Sequence, residues 1–282
     1  MKILALVASH RKFGNTELMV RQALLAATAE GATYEILRLT DLNILPCTGC
    51  MACAFKSEAR CHLDDDMEML LAKMRQADGL ILGAPVYILA PAAVVKLFLD
   101  RSIMTFQHAR DYQGKPGIAI AVAGLAGWDP LGLPLLTGTL LGYGYRLADA
   151  MTAYDPGPGE TLLNPANPAR AALAGQRLLS AMKGAPIEAF HQANTCPVCR
   201  AEFFALTDSG VRCPICNAQG NLVQHNGKTM VEFAPAEQQQ HRWTPEAAEH
   251  HLNEWILPSG PRYLSHRREI EALKLDYRQM RP

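Results

Sequence analysis

Eight cysteines, divided into two sets of four, constrain this chain more than any other feature of its sequence. One set has the spacing C-x2-C-x2-C-x7-C and the other C-x2-C-x13-C-x2-C; they consist of Cys47, Cys50, Cys53 and Cys61, and of Cys196, Cys199, Cys213 and Cys216. Four thiolates complete one tetrahedral metal site or ligate one [4Fe–4S] cluster. The sequence therefore predicts two inorganic centres, and the different spacings predict different contents.

The first cysteine set is compact. Three thiolates, each separated from the next by two residues, match three corners of a cubane cluster, and ferredoxin-type motifs begin with the same run. Structural zinc sites usually divide their ligands between two knuckles that are well separated in sequence. The spacing favours a [4Fe–4S] cluster, with a zinc site or plain reduced thiols as the alternatives. The adjacent acidic run Asp64–Asp66 is predicted to cap a helix and not to bind metal.

The second cysteine set forms two Cys-Pro-x-Cys knuckles on either side of a short hairpin, with a predicted turn at Asp208–Gly210. This pattern is typical of a zinc ribbon or of a rubredoxin-like iron site. Rubredoxins usually have glycine just after each knuckle, where this chain has Arg200 and Asn217. Zinc is favoured and iron is the alternative. Zinc would have a structural role, because so small a module needs a metal to fold.

Charge and hydropathy exclude several classes of partner. Lys+Arg and Asp+Glu both number 27, so no net charge attracts nucleic acid or an acidic membrane. The apolar run at the N-terminus is too short for a signal peptide, and the later apolar stretches are interrupted by glycine and proline. We therefore expect a cytoplasmic protein with no membrane partner, in which thiols stay reduced and available for metal.

Short apolar runs alternate with segments of helical periodicity along the first two thirds of the chain. The predicted strands cover residues 2–8, 34–39, 79–83, 117–123 and 145–151. The predicted helices cover residues 16–30, 92–106, 134–141 and 169–182, with one more that starts at Asp65 and has Glu68 in a capping box. This order predicts an α/β fold, with a five-stranded parallel sheet sandwiched by helices.

Three regions are predicted: an α/β domain at residues 1–185, a four-cysteine module at 186–222 and a C-terminal extension at 223–282. The extension contains five of the nine histidines, which we interpret as surface groups or as contacts to a neighbouring subunit. Trp243, Trp255 and Tyr263 are predicted to anchor it to a core.

The loop after the first strand is rich in hydrogen-bond donors. It leads into a helix, whose N-terminal N–H groups and dipole favour a bound phosphate. Side chains or backbone suited to that task are those of Ser9, Arg11, Gly14, Asn15 and Thr16. The alternative is an ordinary strand-to-helix turn, in which Asn15 and Thr16 only cap the helix.

This S-x-R-x-x-G-N-T loop resembles the FMN phosphate loop of the flavodoxin-like NAD(P)H-dependent FMN reductases. Ala84–Tyr87 resembles the loop that lies against the flavin ring in that family, and Lys96–Arg101 resembles the helix motif that follows it. Gly124–Trp128 resembles the glycine-rich third flavin loop. The resemblance covers roughly residues 1–185. The compact cysteine motif further resembles that of the iron–sulfur flavoproteins.

The resemblance implies a flavodoxin-like fold, non-covalently bound FMN, a [4Fe–4S] cluster at the first cysteine set, and a homodimer or homotetramer. The residues that it implies for FMN binding are Ser9, Arg11, Gly14, Asn15, Thr16, Pro85, Val86, Tyr87, Ile88, Gly124, Gly127 and Trp128. For the aromatic pair Tyr87 and Trp128, the alternative is simple core packing.

These features predict an oxidoreductase that passes electrons between NAD(P)H or a ferredoxin-like donor and an acceptor, through FMN and the cluster. One alternative is an NAD(P)H-dependent reductase of flavins, quinones or aromatic compounds with structural zinc at both cysteine sets. Another is a redox-sensing or scaffold protein without turnover. No general acid, base or nucleophile stands out, so no catalytic residue is predicted.

Overall fold

A computed structural model describes residues 1–55, 61–278 and 280, so part of the predicted cysteine loop (56–60) and of the C-terminal extension lies outside the described residues. The strands are β1 (Lys2–Val7), β2 (Thr33–Arg38), β3 (Gly79–Tyr87), β4 (Ala90–Pro91), β5 (Pro116–Ala123), β6 (Arg146–Tyr154), β7 (Ala205–Thr207), β8 (Gly210–Arg212), β9 (Gln219–His225) and β10 (Lys228–Glu232). The α-helices are α1 (Asn15–Thr28), α2 (Ala52–Phe55), α3 (Met67–Gln76), α4 (Ala93–Asp100), α5 (Gly132–Gly142), α6 (Ala166–Met182), α7 (Pro245–His251), α8 (Leu257–Leu273) and α9 (Leu275–Arg278).

The main sheet has the strand order β2-β1-β3-β5-β6, and every pair along this path is parallel. The short strand β4 pairs antiparallel with the end of β3. This is the doubly wound order of flavodoxin-like folds, in which ligands bind beyond the carboxyl ends of the strands. The predicted fold class is confirmed.

Helices cover both faces of the sheet, as the near-continuous apolar strands require. One core layer lies between the sheet and helices α1 and α6, and the other between the sheet and α3, α4 and α5. The helices α1 and α6 touch through their backbones, because a β-carbon at Gly175 would collide with the carbonyl group of Ala23. This close approach fixes α1, and with it the loop that precedes it.

Two local expectations differ from the structure. The predicted helix at 92–106 ends as an α-helix at Asp100 and continues as a 3-10 helix over Ser102–Asp111. The predicted helix start at Asp65 is also wrong, since α3 begins at Met67 and no side chain caps it at Asp66. Asp65 is instead buried against Arg101, which the hydropathy pattern could not reveal.

A separate four-stranded sheet has the order β10-β9-β8-β7; the first knuckle of the second cysteine set precedes β7 and the second knuckle lies between β8 and β9. Thr207 pairs with Gly210, which confirms the turn predicted there. The sheet continues to Glu232, so this module extends past the predicted boundary at residue 222.

The C-terminal extension is anchored by one of its three predicted aromatic residues. Trp243 packs against the four-cysteine module, whereas Trp255 and Tyr263 are 59% and 44% exposed, so the prediction for these two is wrong. No helix built from the described residues has the length and apolar character needed to cross a bilayer.

Candidate functional site

The loop between β1 and α1 leaves a helix N-terminus open at the carboxyl edge of the sheet. Gly14 is the N-cap residue in extended conformation, and no side chain among the described residues caps the helix. The first N–H groups of a helix have no intrahelical partner, so they remain available to an anion. A β-carbon at Gly14 would lie 2.9 Å from the β-carbon of Arg11, so glycine permits the tight turn of this loop.

A buried carboxylate that the sequence analysis missed holds this loop in shape. Glu17 accepts hydrogen bonds from the backbone N–H of Phe13 (2.7 Å) and from Nε of Arg21 (2.8 Å), and it forms an ion pair with Arg38. Arg38 also donates to the carbonyl oxygen of Ser9 (3.2 Å). The spacing of Glu17 and Arg21 was visible in the sequence, but the contribution of Arg38 from the end of β2 was not.

Opposing influences set the protonation of Glu17. Burial disfavours its ionised form, but the hydrogen bonds from Phe13, Arg21 and Arg38 outweigh that effect, and the pKa of Glu17 lies below its ordinary value. Glu17 is therefore a fixed negative charge beneath the loop at neutral pH.

The side chain of Asn15 has a different role from the one predicted. Its amide group donates to the carbonyl oxygens of Asp155 (3.0 Å) and Gly157 (2.8 Å), and its oxygen accepts from the backbone N–H of Gly159 (2.7 Å). Both amide donors are thus engaged with the loop after β6. Any contact of Asn15 with a phosphate in this arrangement falls to its backbone N–H.

The loop after β3 contains two strained residues. Ile88 and Leu89 have φ angles of 45° and 73°, and they connect Tyr87 to its antiparallel partner Ala90. Consecutive positive φ angles are typical of a two-residue hairpin turn and normally favour glycine or asparagine. Ile88 is nevertheless 87% exposed. Such strain in a fixed loop is common at binding sites.

The loop after β5 exposes a second aromatic side chain. Asp129 accepts hydrogen bonds from the backbone N–H of Gly127 (3.1 Å) and from the hydroxyl of Tyr154 (3.0 Å). Burial, followed by this contact with Asp129, raises the pKa of Tyr154 to about 12. Trp128 is 63% exposed and Tyr87 is 56% exposed, so the core-packing alternative for these two residues is wrong.

The predicted flavin loops gather at one edge of the sheet, because β1, β3 and β5 are adjacent and parallel. Large apolar side chains are exposed in all three loops: Phe13, Tyr87, Ile88, Leu125 and Trp128. Exposed apolar side chains beside a helix N-terminus suit a ligand with a flat apolar part and an anionic part.

The first cysteine set follows β2, next to the loop after β1. Cys47 and Cys50 are exposed and Cys53 and Cys61 are partly buried. The backbone N–H of Gly49 donates to Sγ of Cys47 (3.4 Å). Burial raises the pKa of the Cys53 thiol, and the neighbouring thiols, that of Cys61 foremost, raise it further.

A buried ion pair closes the base of the cysteine loop. Asp65 and Arg101 are paired, and both side chains are 1% exposed. Arg101 donates to the carbonyl oxygen of Leu45 (2.9 Å) and to Sγ of Cys61 (3.3 Å). Asp65 in turn accepts from the backbone N–H groups of Leu45 (3.0 Å) and Met67 (3.1 Å). The two ends of the loop and its last cysteine therefore meet at one pair of charges.

The two cysteine sets differ in geometry. The four sulfurs of the second set are buried and lie within 4.8 Å of one another, which suits one tetrahedral ion. Among the described residues, the first set forms no comparably tight group. The first set offers four free thiols on one loop, the number of ligands that a [4Fe–4S] cluster takes, and the second set fits a single ion.

Each knuckle of the second set has the same backbone geometry. Arg200 and Asn217, which follow the knuckles, have φ angles of 65° and 72°. Their N–H groups donate to the carbonyl oxygens of Cys196 (3.0 Å) and Cys213 (2.9 Å). Arg200 and Asn217 therefore adopt the left-handed conformation that glycine usually adopts at these positions, and both knuckles have the same hydrogen bond.

The four-cysteine module is docked on helix α5 of the main domain. The hydroxyl of Thr137 donates to the carbonyl oxygen of Cys199 (2.6 Å), and Leu141 packs into the apolar cluster around the cysteines. Trp243 lies against Gly142 at the end of the same helix. The same helix, α5, begins four residues after Trp128, so the module and this candidate flavin loop flank one helix.

Comparison with known proteins agrees with this geometry. Residues 1–129 match the family model of NADPH-dependent FMN reductases. An iron–sulfur flavoprotein of Methanocaldococcus jannaschii is 41% identical over 122 residues, which is 43% of this chain and 62% of that protein. An iron–sulfur flavoprotein of Methanosarcina thermophila is 35% identical over 124 residues, which is 44% of this chain and 64% of that protein.

Two further similarities extend into the C-terminal module. A flavone synthase of Aspergillus candidus is 28% identical over 246 residues, with 74% of each chain covered. The solved structure of a flavone reductase superposes with a TM-score of 0.76 at 22% identity, covering 100% of this chain and 98% of the other. This likeness shows that the two share the fold, including the module.

Residues 1–129 thus match the NADPH-dependent FMN reductase family model, and the predicted resemblance to that family and to the iron–sulfur flavoproteins is confirmed. The matched region spans less than two thirds of the length of either iron–sulfur flavoprotein. The matches support FMN as the cofactor and a flavin-dependent oxidoreductase as the class of enzyme.

We predict that Glu17→Gln lowers the free energy of unfolding by roughly 1–3 kcal/mol at pH 7, because it leaves buried donors and Arg38 without their charged acceptor. A group with a lowered folded-state pKa stabilises the protein above its unfolded pKa, here about 4.5, and this contribution is lost as the pH falls through the folded value. Urea unfolding at pH 7 and below pH 4 measures the free energy of unfolding of wild type and variant. The difference between the two free energies should be smaller below pH 4 than at pH 7. Glu30→Gln, at an exposed ion pair, is the control; an equal effect there would contradict the role of Glu17.

Proposed function

We propose that this chain is an FMN- and [4Fe–4S]-dependent oxidoreductase that passes electrons between NAD(P)H or a ferredoxin-like donor and an acceptor. The observation that carries the proposal is the meeting of an open helix N-terminus, exposed aromatic loops and a four-thiol loop at one edge of the sheet. Bound FMN would supply the exchange between two-electron and one-electron chemistry, and the cluster would carry single electrons.

The residues divide into two groups by the part of FMN that they would hold. The phosphate would lie at the start of α1, with donors from Ser9, Arg11 and Thr16 and with close approach allowed by Gly14. The loop around Pro85, Val86, Tyr87 and Ile88 and the loop around Gly124, Gly127 and Trp128 would enclose the ring and exclude water from it. Asn15 would act by holding the loop after β6 against this site.

We also propose an oligomeric state and a cellular compartment. Exposed apolar loops that hold a flavin leave room for a second subunit, which supports a homodimer or homotetramer. The free thiols of both cysteine sets support a reducing compartment such as the cytoplasm.

We expect Arg11→Ala to weaken FMN binding about tenfold or more, because a charge-assisted contact with phosphate contributes roughly 1.5–3 kcal/mol. Flavin fluorescence titration of the apoprotein measures the dissociation constant. Lys12→Ala removes the adjacent exposed charge and is the matched control. Equal weakening in both variants would indicate general electrostatic attraction instead of a specific phosphate site.

We propose zinc at the second cysteine set, with a structural role. All four sulfurs are buried and belong to one apolar cluster with Leu141, so no open coordination position faces a substrate. The zinc would hold the module against α5 through the contact of Thr137 with Cys199. Iron in its place, if reducible by the flavin, would make the module a further electron carrier.

Reciprocal cysteine variants separate the two centres. Anaerobically purified wild type should contain FMN, iron, acid-labile sulfide and one zinc per chain. Cys50→Ala should lose iron and sulfide while it keeps zinc and FMN, because the flavin loops lie elsewhere. Cys213→Ser should lose zinc and keep the cluster. Wild type with zinc at both sets and no sulfide would contradict the electron-relay function.

A second candidate function is the reduction or desaturation of a planar aromatic ketone of the flavone type. It is favoured because the similarity to the flavone synthase covers 74% of this chain, whereas the iron–sulfur flavoprotein matches cover 43% and 44%. The exposed rings of Tyr87 and Trp128 would stack on such a substrate.

This candidate predicts that anaerobically reduced protein is reoxidised by flavone within a single turnover and yields one flavanone per flavin. Stopped-flow absorbance of the flavin and chromatography of the product measure the two quantities. Flavanone, which lacks the conjugated double bond, is the matched control and should leave the flavin reduced. Reoxidation by flavanone at the same rate, or by neither compound, would reject a flavone-type substrate.

A further inference from the structure

The buried pair Arg101–Asp65 is placed where it can influence the first cysteine set directly. Arg101 has its guanidinium in contact with Sγ of Cys61 at 3.3 Å, and the same Nη2 atom lies 3.3 Å from Oδ1 of Asp65. Within the part of the chain that the structure describes, the Asp65 carboxylate contacts Arg101 and the backbone N–H groups of Leu45 and Met67, and no sulfur. The positive member of the pair is therefore the one that faces the thiols.

The pair also fixes the position of Cys61 independently of the loop before it. Leu45 is held at both its N–H and its carbonyl group, and Met67 begins helix α3. Cys61 therefore lies beside an anchored charge, close to the start of α3.

We propose that Arg101 is a positioning residue for the iron–sulfur site, which fixes Cys61 as the fourth cluster ligand and raises the reduction potential of the bound cluster. This inference rests on the proposed function, since it needs a cluster at the first cysteine set. Reduction adds one negative charge to the cluster, and a cation and N–H···S hydrogen bonds stabilise that charge. Burial strengthens the interaction because little water screens it.

Three variants test the proposal in the full chain. Arg101→Met combined with Asp65→Asn removes the charge and the N–H···S donor without leaving a buried carboxylate unpaired. Arg101→Lys keeps the charge but loses the fork of donors. Lys96→Gln removes a cation from α4, the helix that ends just before Arg101; the Lys96 side chain is 68% exposed and pairs with Asp100, and this variant serves as the matched control.

The measurements are iron, sulfide and FMN content and the midpoint potential of the cluster from a redox titration followed by electron paramagnetic resonance. The double variant should keep FMN and show a more negative cluster potential with a lower sulfide content. The cluster potential of Arg101→Lys should lie closer to the wild-type value than that of the double variant. Lys96→Gln should match wild type in every measurement. A purely structural role for Arg101 would change loading and stability without moving the potential of the clusters that remain.

A double variant with full sulfide and an unchanged potential would overturn the role of Arg101 and leave the proposed function intact. Wild type without sulfide would instead overturn both the cluster and the inference about Arg101. An equal shift of potential in Lys96→Gln would show that the effect is not particular to the Arg101 site and would also overturn the specific role of Arg101.

Discussion

The hydrogen-bonded register of the parallel sheet is the constraint on which the remaining structure depends. Because β2, β1, β3 and β5 run in one direction, the loops that follow them leave the sheet at the same edge. The open helix start at Gly14, the strained turn at Ile88, the exposed Trp128 and the cysteine loop are therefore neighbours, although they are distant in sequence. A phosphate site, a ring site and a thiol cluster can share one ligand environment only in such an arrangement.

The two cysteine sets differ in burial and in the contacts that hold them in place. The second set is buried within its own apolar cluster, and its four sulfurs converge as one ion requires. The first set is more open. Its last cysteine, Cys61, is positioned from outside the loop by Arg101, which is paired with Asp65. The closed second set suits a structural role, whereas the open first set, next to the proposed flavin loops, suits electron exchange. The buried ion pair holds the last cysteine of that open site in place through the contact of Arg101 with Cys61.

The C-terminal module is part of the site through helix α5. Its contacts at Thr137, Leu141 and Gly142 occupy the face of α5 that does not pack on the sheet. The start of α5 is tied to the turn after β3, because the N–H of Leu131 donates to the carbonyl oxygen of Leu89 at 3.0 Å. Helix α5 therefore contacts the module along one face and the turn after β3 at its start.

The sequence by itself determined the alternation of strands and helices, the two cysteine spacings and the donor-rich loop, because local hydrophobic periodicity and short-range spacing encode them. It also singled out Tyr87 and Trp128, but only the structure showed that both are exposed. The tertiary structure alone decided that Glu17 and Arg38 hold the phosphate loop, that Asn15 faces the loop after β6, and that Asp65, which also accepts from the first N–H of α3, pairs with Arg101. The physical reason is the same in each case: a buried polar group takes whatever partner the packing of distant segments brings within reach, and no local pattern records which segment that is.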